Sequence, residues 1–153
     1  MPPSYSITTD PGRFDYERIY DFISRKSYWA RGIPMELMKR SIQNALSFGL
    51  FFEEEQVGFA RVVTDYATFA WLGDVFIDVD HRGKGLGKWL METVHLHPDL
   101  QGLRRWILAT GNAHGLYEQF GYTPLAKPGI YMERYDPEIY TKINASSPDE
   151  DAG

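Results

Sequence analysis

The sequence predicts an α/β (α+β) domain built on one mixed central sheet. Three observations carry this. Segments with strand and helix patterning follow the order β, α, α, three β, α, β, α, β. The three middle strands are joined by short turns, which suit antiparallel pairing. The next strand is reached through a helix, the crossover that parallel neighbours require.

Taken in order, Ser4–Thr8 reads as a first strand. Asp15 opens a helical pattern with Ile19, Phe22, Ile23 and Lys26 on one face. Pro34 suits the first turn of a second helix, whose stripe is Leu37, Met38, Ile42, Ala45 and Leu46, closed near Gly49. Leu50–Glu53 and Val57–Thr64 flank the turn Glu54-Glu55-Gln56 as a hairpin. Ala67–Val79 is a longer strand with a bend expected at Gly73. Leu86–Leu96 is a helix ended by Pro98, and Arg105–Thr110 is a short buried strand. Asn112 is placed to cap a helix over His114–Phe120, with Gly121 at its C′ position. Ile130–Arg134 reads as a last strand, followed by a frayed end.

The chain has 153 residues, enough for one domain with a real core. We expect that domain over 1–145 and a disordered acidic tail over 146–153. The formal net charge is −5, which disfavours a nucleic-acid partner. Zero cysteines exclude a disulfide framework and thiol catalysis, and fit a cytoplasmic location. No apolar run approaches a membrane span. His81, His95, His97 and His114 follow no metal-ligand spacing and read as structural or surface residues, so no metal is expected.

The chemistry concentrates in Val75–Val94. An apolar strand runs into Arg82-Gly83-Lys84-Gly85-Leu86-Gly87-Lys88, and a helical ladder of Leu86, Leu90 and Val94 follows. A helix N-terminus presents unpaired N–H groups and partial positive charge. Glycines clear the approach to them, and Arg82, Lys84 and Lys88 add full charge. The combination reads as a pyrophosphate cradle. A P-loop is excluded, because Gly87-Lys88 is followed by Trp89 and not by a hydroxyl residue. The dinucleotide pattern G-x-G-x-x-G fails at its third glycine, where Lys88 stands. The pattern R/Q-x-x-G-x-G/A fits at Arg82, Gly85 and Gly87.

That last pattern resembles motif A of the GNAT superfamily of N-acetyltransferases. Leu116-Tyr117-Glu118-Gln119-Phe120-Gly121-Tyr122 resembles its motif B. The resemblance extends over the element order from about Ser4 to Tyr135 and implies the GNAT fold, a mixed sheet with helices on both faces. It also implies acetyl-CoA as co-substrate and a primary-amine acceptor, either a small molecule or a peptide. Backbone groups of Ile77 and Val79 would then meet the pantetheine arm, and Arg82, Gly83, Lys84, Gly85, Leu86, Gly87 and Lys88 the pyrophosphate. Tyr117 would protonate the leaving thiolate, a role a neutral phenol can fill. Two positions depart from the family pattern. Thr110 stands where an asparagine often contacts the cofactor, and Val79-Asp80-His81 replaces Pro-Glu-Tyr.

Asp74, alone in an apolar run, is the candidate general base. A structural role for Asp74 and a water chain as base both stay open, while Asp78 is assigned to ordering the loop. Tyr28, Trp29 and Arg31, in the loop between the first two helices, are expected to line the acceptor pocket. Trp29 as a packing anchor is the alternative there. Another acyl-CoA donor, a CoA-binding sensor without turnover, and a homodimer are all compatible with this reading.

Overall fold

The computed structural model describes residues 4–27 and 30–146. Five strands form one sheet in the order β1-β2-β3-β4-β5. They are β1 (Tyr5–Thr8), β2 (Leu46–Phe52), β3 (Glu55–Thr64), β4 (Phe69–Ile77) and β5 (Arg105–Leu108). The first four are antiparallel neighbours. β4 and β5 are parallel, as the crossover between them demands.

Alternation along β3 and β4 sorts their side chains to opposite faces. Phe59 and Phe76 join Ile19 and Ile23 with Met38 and Ile42. That face is covered by α1 (Tyr16–Tyr20), its π-helical continuation Asp21–Lys26, and α2 (Met35–Gln43). The wider π turn brings Phe22 onto Phe76, with ring centroids 4.1 Å apart. On the other face Ala60, Val62, Ala70 and Leu72 meet Leu90, Met91 and Val94 of α3 (Leu86–Leu96). The mixed sheet with helices on both faces is therefore as expected. Burying each of these large side chains contributes about 1.5–3 kcal/mol.

Several boundaries differ from the sequence reading. The second helix ends at Gln43, so Leu46 and Gly49 belong to β2 and not to the helix. A side chain at Gly49 would meet Phe14 and Phe51 at 2.9 Å, so glycine is required there by packing. Gln56 leaves the expected turn and is buried in β3, accepting from the Asp15 N–H at 2.7 Å. Ile130–Arg134 forms no strand. The expected frayed end holds α5 (Ile139–Ala145), whose Tyr140 packs on the α1/α2 core. The tail 147–153 lies outside the described residues.

Candidate active site

The cradle lies where β4 runs out. After Ile77 the chain makes a single 3-10 turn, Val79–His81, and enters α3 at Leu86. Gly83 and Gly85 sit at φ 78° and 77°, a region other residues reach only with strain. A β-carbon on either would have no neighbour within 4 Å, so the backbone faces open space. Gly85 is the N-cap and provides no side-chain hydrogen bond, which leaves the first-turn N–H groups for another acceptor. A cavity of about 120 Å³ borders these residues, walled by Ile77, His81, Arg82 and Leu86. Arg82 lines it, and Arg82, Lys84 and Lys88 are all exposed. Their charges and the helix dipole act in the same direction, toward an anion.

The loop is tied from below. Arg18 of α1 bridges Asp78 and Glu55. Burial pushes the Asp78 carboxyl up, but Arg18 and the N–H groups of Val79 and Asp80 outweigh it. They hold that carboxyl below its usual range. His81 Nδ1 and the Tyr5 hydroxyl share a 2.8 Å hydrogen bond, fixing the 3-10 turn to β1. Arg82 Nε donates to the Ile77 carbonyl at 3.0 Å.

Beside the cradle the pairing of β4 with β5 ends, so β4 beyond Leu72 has no ladder partner on that side among the described residues. Their ladder runs from Phe69↔Arg105 to Leu72↔Leu108 and stops. Just beyond, Asp74 takes φ 54°, and Ala60 of β3 stands opposite both Asp74 and Val75. This is a β-bulge, which bends a strand away from its neighbour. The bend falls one residue after Gly73, where the sequence placed it. Asp78 N–H bonds back to Val57 of β3. By alternation, the polar groups of Ile77 turn away from β3, toward the side of β4 left without a ladder partner. Val79 lies beyond the strand, and its carbonyl accepts from the Arg82 N–H at 3.3 Å.

Asp74 is 11% exposed and ion-paired with Arg61, Nε to Oδ2 at 2.7 Å. Its anion also adds to the upward shift that burial imposes on the Tyr140 phenol. The carboxylate therefore stands on the α1/α2 side of the sheet, paired as a buried acid must be. Asp74→Asn leaves Arg61 without a counter-charge, and a loss of about 1–3 kcal/mol is expected in thermal unfolding. If Asp74 also takes up the acceptor's proton, kcat of the folded variant falls at least about tenfold. A lower Tm with unchanged kcat assigns Asp74 to the scaffold.

On the opposite side, α4 (His114–Glu118) carries Tyr117. Leu116 would lie 3.8 Å from a β-carbon on Gly87, so α4 abuts the first turn of α3. Tyr117 is 8% exposed. Burial pushes its phenol above the ordinary value. The Thr110 hydroxyl accepts from the Ala113 N–H at 3.0 Å. Asn112, expected to cap α4, is exposed; Ala113 is the N-cap and makes no side-chain cap hydrogen bond. Gly121 ends α4 at φ 88°, as its position after the helix predicted.

An aromatic group behind Tyr117 was not foreseen. The ring of Tyr122 meets Tyr117 edge-on at 5.9 Å, and its hydroxyl lies 2.8 Å from His95 Nε2. His95 Nδ1 lies 2.7 Å from the Met91 carbonyl, which can only accept. Nδ1 therefore carries the proton, and Nε2 accepts from Tyr122. Trp106 and Phe120 flank the imidazole. The clue was the place of His95 directly after Val94 on the buried stripe of α3.

Burial holds the His95 imidazole below its ordinary value. The unfolded chain then takes up a proton that the folded one refuses. Stability is full above about pH 6.5, the unfolded value, and falls as pH drops below it. His95→Gln should flatten the decline in Tm between pH 7 and pH 5, measured by calorimetry.

Of the expected acceptor residues, Tyr28 and Trp29 lie outside the described residues. Arg31 is exposed in the turn before α2. Asn144 of α5 donates to the Gly32 carbonyl at 3.1 Å, so the C-terminal helix is tied to that turn.

This arrangement has counterparts among known proteins. A family model described as an acetyltransferase (GNAT) domain matches residues 44–124. The chain belongs to the GNAT acetyltransferase family. A Gibberella zeae protein named as a candidate acetyltransferase is 31% identical over 135 residues, covering 74% of this chain and 75% of that one. A crystal structure of a candidate GNAT acetyltransferase from Xanthomonas campestris pv. campestris is 50% identical with a TM-score of 0.88. It covers 91% of this chain and 98% of that chain. A GNAT acetyltransferase from Elizabethkingia anophelis, solved with acetyl-CoA bound, shares the fold at 13% identity and TM-score 0.60. It covers 88% of this chain and 90% of that chain. Like these relatives, this GNAT chain is an acetyltransferase. Among its described residues no helix is long and apolar enough to cross a membrane.

Proposed function

We propose that this GNAT enzyme moves an acetyl group from acetyl-CoA to a primary amine by direct attack of the amine on the thioester. One observation carries the reading: an open, doubly left-handed glycine loop at an uncapped helix N-terminus, beside a β4–β5 ladder that ends just before a bulge. The residues fit the group. First-turn N–H groups of α3, with Arg82, Lys84 and Lys88, hold the pyrophosphate. The Ile77 backbone, facing the cleft, lies along the pantetheine. Bound acetyl-CoA supplies the activated acetyl group.

The chain's own residues do the rest. Asp74, ion-paired with Arg61, draws an ammonium to the α1/α2 side of the cleft and receives its proton. Tyr117 offers a neutral hydroxyl on the other side, where the thiolate departs. Positioning across the cleft supplies most of the acceleration. Arg31, exposed in the turn before α2, contributes to the acceptor wall, and a small molecule or peptide amine is the acceptor class.

The test is release of free CoA thiol from acetyl-CoA with and without a panel of primary amines. Amine-dependent release at rates well above hydrolysis is expected. Tight acetyl-CoA binding with no amine-dependent turnover would mark a sensor instead. Faster turnover with a bulkier acyl thioester would reassign the donor.

A further inference from the structure

Taking Tyr117 as the group that protonates the departing thiolate, we propose that Tyr122 and His95 are its positioning residues. They join it to the far end of the helix whose first turn forms the cradle.

Tyr117 needs such a support. α4 has five residues, and its N-cap makes no side-chain hydrogen bond. A helix that short does not hold itself together in water. Among the described residues no hydrogen bond fixes the Tyr117 hydroxyl, so packing alone aims it. The packing partner is brought in by the turn that ends α4. The Tyr117 carbonyl accepts from the N–H groups of Phe120 and Tyr122, at 2.9 and 3.3 Å, which returns Tyr122 to the side of Tyr117. There the two rings meet edge-on, with centroids 5.9 Å apart. Edge-on contacts have a preferred geometry, so the setting of one ring constrains the other.

Tyr122 is held in turn from α3. Its hydroxyl donates to His95 Nε2 at 2.8 Å, and Nδ1 of the same imidazole donates to the Met91 carbonyl at 2.7 Å. Trp106 of β5 and Phe120 close on the imidazole, with ring centroids 4.6 and 5.4 Å from it. Two hydrogen bonds and two ring contacts leave the imidazole one orientation. His95 lies in the last turn of α3, and Gly85 is the N-cap of that helix. One helix thus sets the pyrophosphate end directly and, through His95 and Tyr122, the proton donor at the thioester end. Such placement matters to the rate, since a misplacement of about 1 Å can cost about 10²-fold.

Three substitutions separate the links. Tyr122→Phe keeps the ring and deletes only the hydroxyl. His95→Leu deletes the acceptor, and His95→Gln returns one as an amide oxygen. Steady-state kinetics with acetyl-CoA and the amine turned over fastest in the panel above, in wild-type and Tyr117→Phe backgrounds, test the proposal. Tyr122→Phe and His95→Leu should each lower kcat about tenfold, and by no more than Tyr117→Phe does. Both KM values should stay within about twofold, the pattern of a contact that acts only in the transition state. His95→Gln should recover most of what His95→Leu loses. In the Tyr117→Phe background, Tyr122→Phe should change kcat by less than about twofold, because the group it places is already gone. Should His95→Leu melt below the assay temperature, Tyr122→Phe decides, since it removes no packed carbon. Equal fold losses in the two backgrounds mean a merely structural role and overturn the proposal, as does wild-type kcat in folded Tyr122→Phe. Wild-type kcat in Tyr117→Phe is a different failure, which removes the proton donor from the mechanism and its positioning residues with it.

Discussion

Gly85→Glu is expected to abolish measurable acetyl-CoA binding while the protein stays folded. Gly85 is the N-cap of α3 and sits at φ 77°. A side chain there strains the backbone by about 1–2 kcal/mol. A carboxylate near a helix N-terminus returns about 0.3–1 kcal/mol of that. The net loss is small against a stability of about 5–15 kcal/mol. For binding the effect is large. Nothing lies within 4 Å of a β-carbon at this position, so the new carboxylate enters the open space the pyrophosphate would use. It takes the same N–H groups and repels the phosphates. Gly85→Ala separates the terms, because it carries the backbone strain without the charge. Calorimetric titration should show a modest loss for alanine and no detectable heat for glutamate. Unchanged affinity in a folded Gly85→Glu protein would remove the cradle.

Tyr117→Phe should lower kcat by about 10²-fold or more with little change in acetyl-CoA affinity, as expected when a general acid is lost. The variant keeps the ring that packs in the α3 core and against Tyr122. Burial raises the pKa of the Tyr117 phenol. Stability should hold within about 1 kcal/mol, the usual scale of one hydrogen bond. The same shift fixes a pH signature. The phenol's pKa lies above its ordinary value of 10.0, so Tyr117 imposes no loss of kcat as pH rises from 7 through the range well below that value. Wild-type kcat in Tyr117→Phe would strike this residue from the mechanism.

Much of this architecture was legible because local pattern and tertiary need coincide. The cradle is one continuous stretch, and its glycines, basic residues and helix stripe each signal the same thing. The antiparallel run β2 to β4 follows from alternation and short turns. The misses have physical reasons. Ala45 and Leu46 continue the apolar stripe of α2, and periodicity alone cannot tell that continuation from the start of a buried strand. Ile130–Arg134 has strand-forming residues, but a strand exists only with a partner, and none pairs with it among the described residues. Asp74 could be seen as an isolated acid; its left-handed backbone and its Arg61 partner, thirteen positions away, could not. Arg18, which braces Asp78 from sixty residues upstream, left no local mark. Thr110 was read through the resemblance as a cofactor contact, while in the fold its hydroxyl also serves the start of α4.

The central claim is that the loop and the first turn of α3 recognise the pyrophosphate. Comparing acetyl-CoA with S-acetylpantetheine, by calorimetric titration of the wild-type protein, tests it most directly. The two share the thioester and the arm that lies in the cleft; only acetyl-CoA carries the phosphates. Hydrogen bonds to charged groups contribute about 1.5–3 kcal/mol each, and each 1.4 kcal/mol is tenfold. Two such bonds at the cradle predict that acetyl-CoA binds at least about 10²-fold more tightly, with the difference shrinking as salt is raised. Equal affinities for the two compounds would contradict the account.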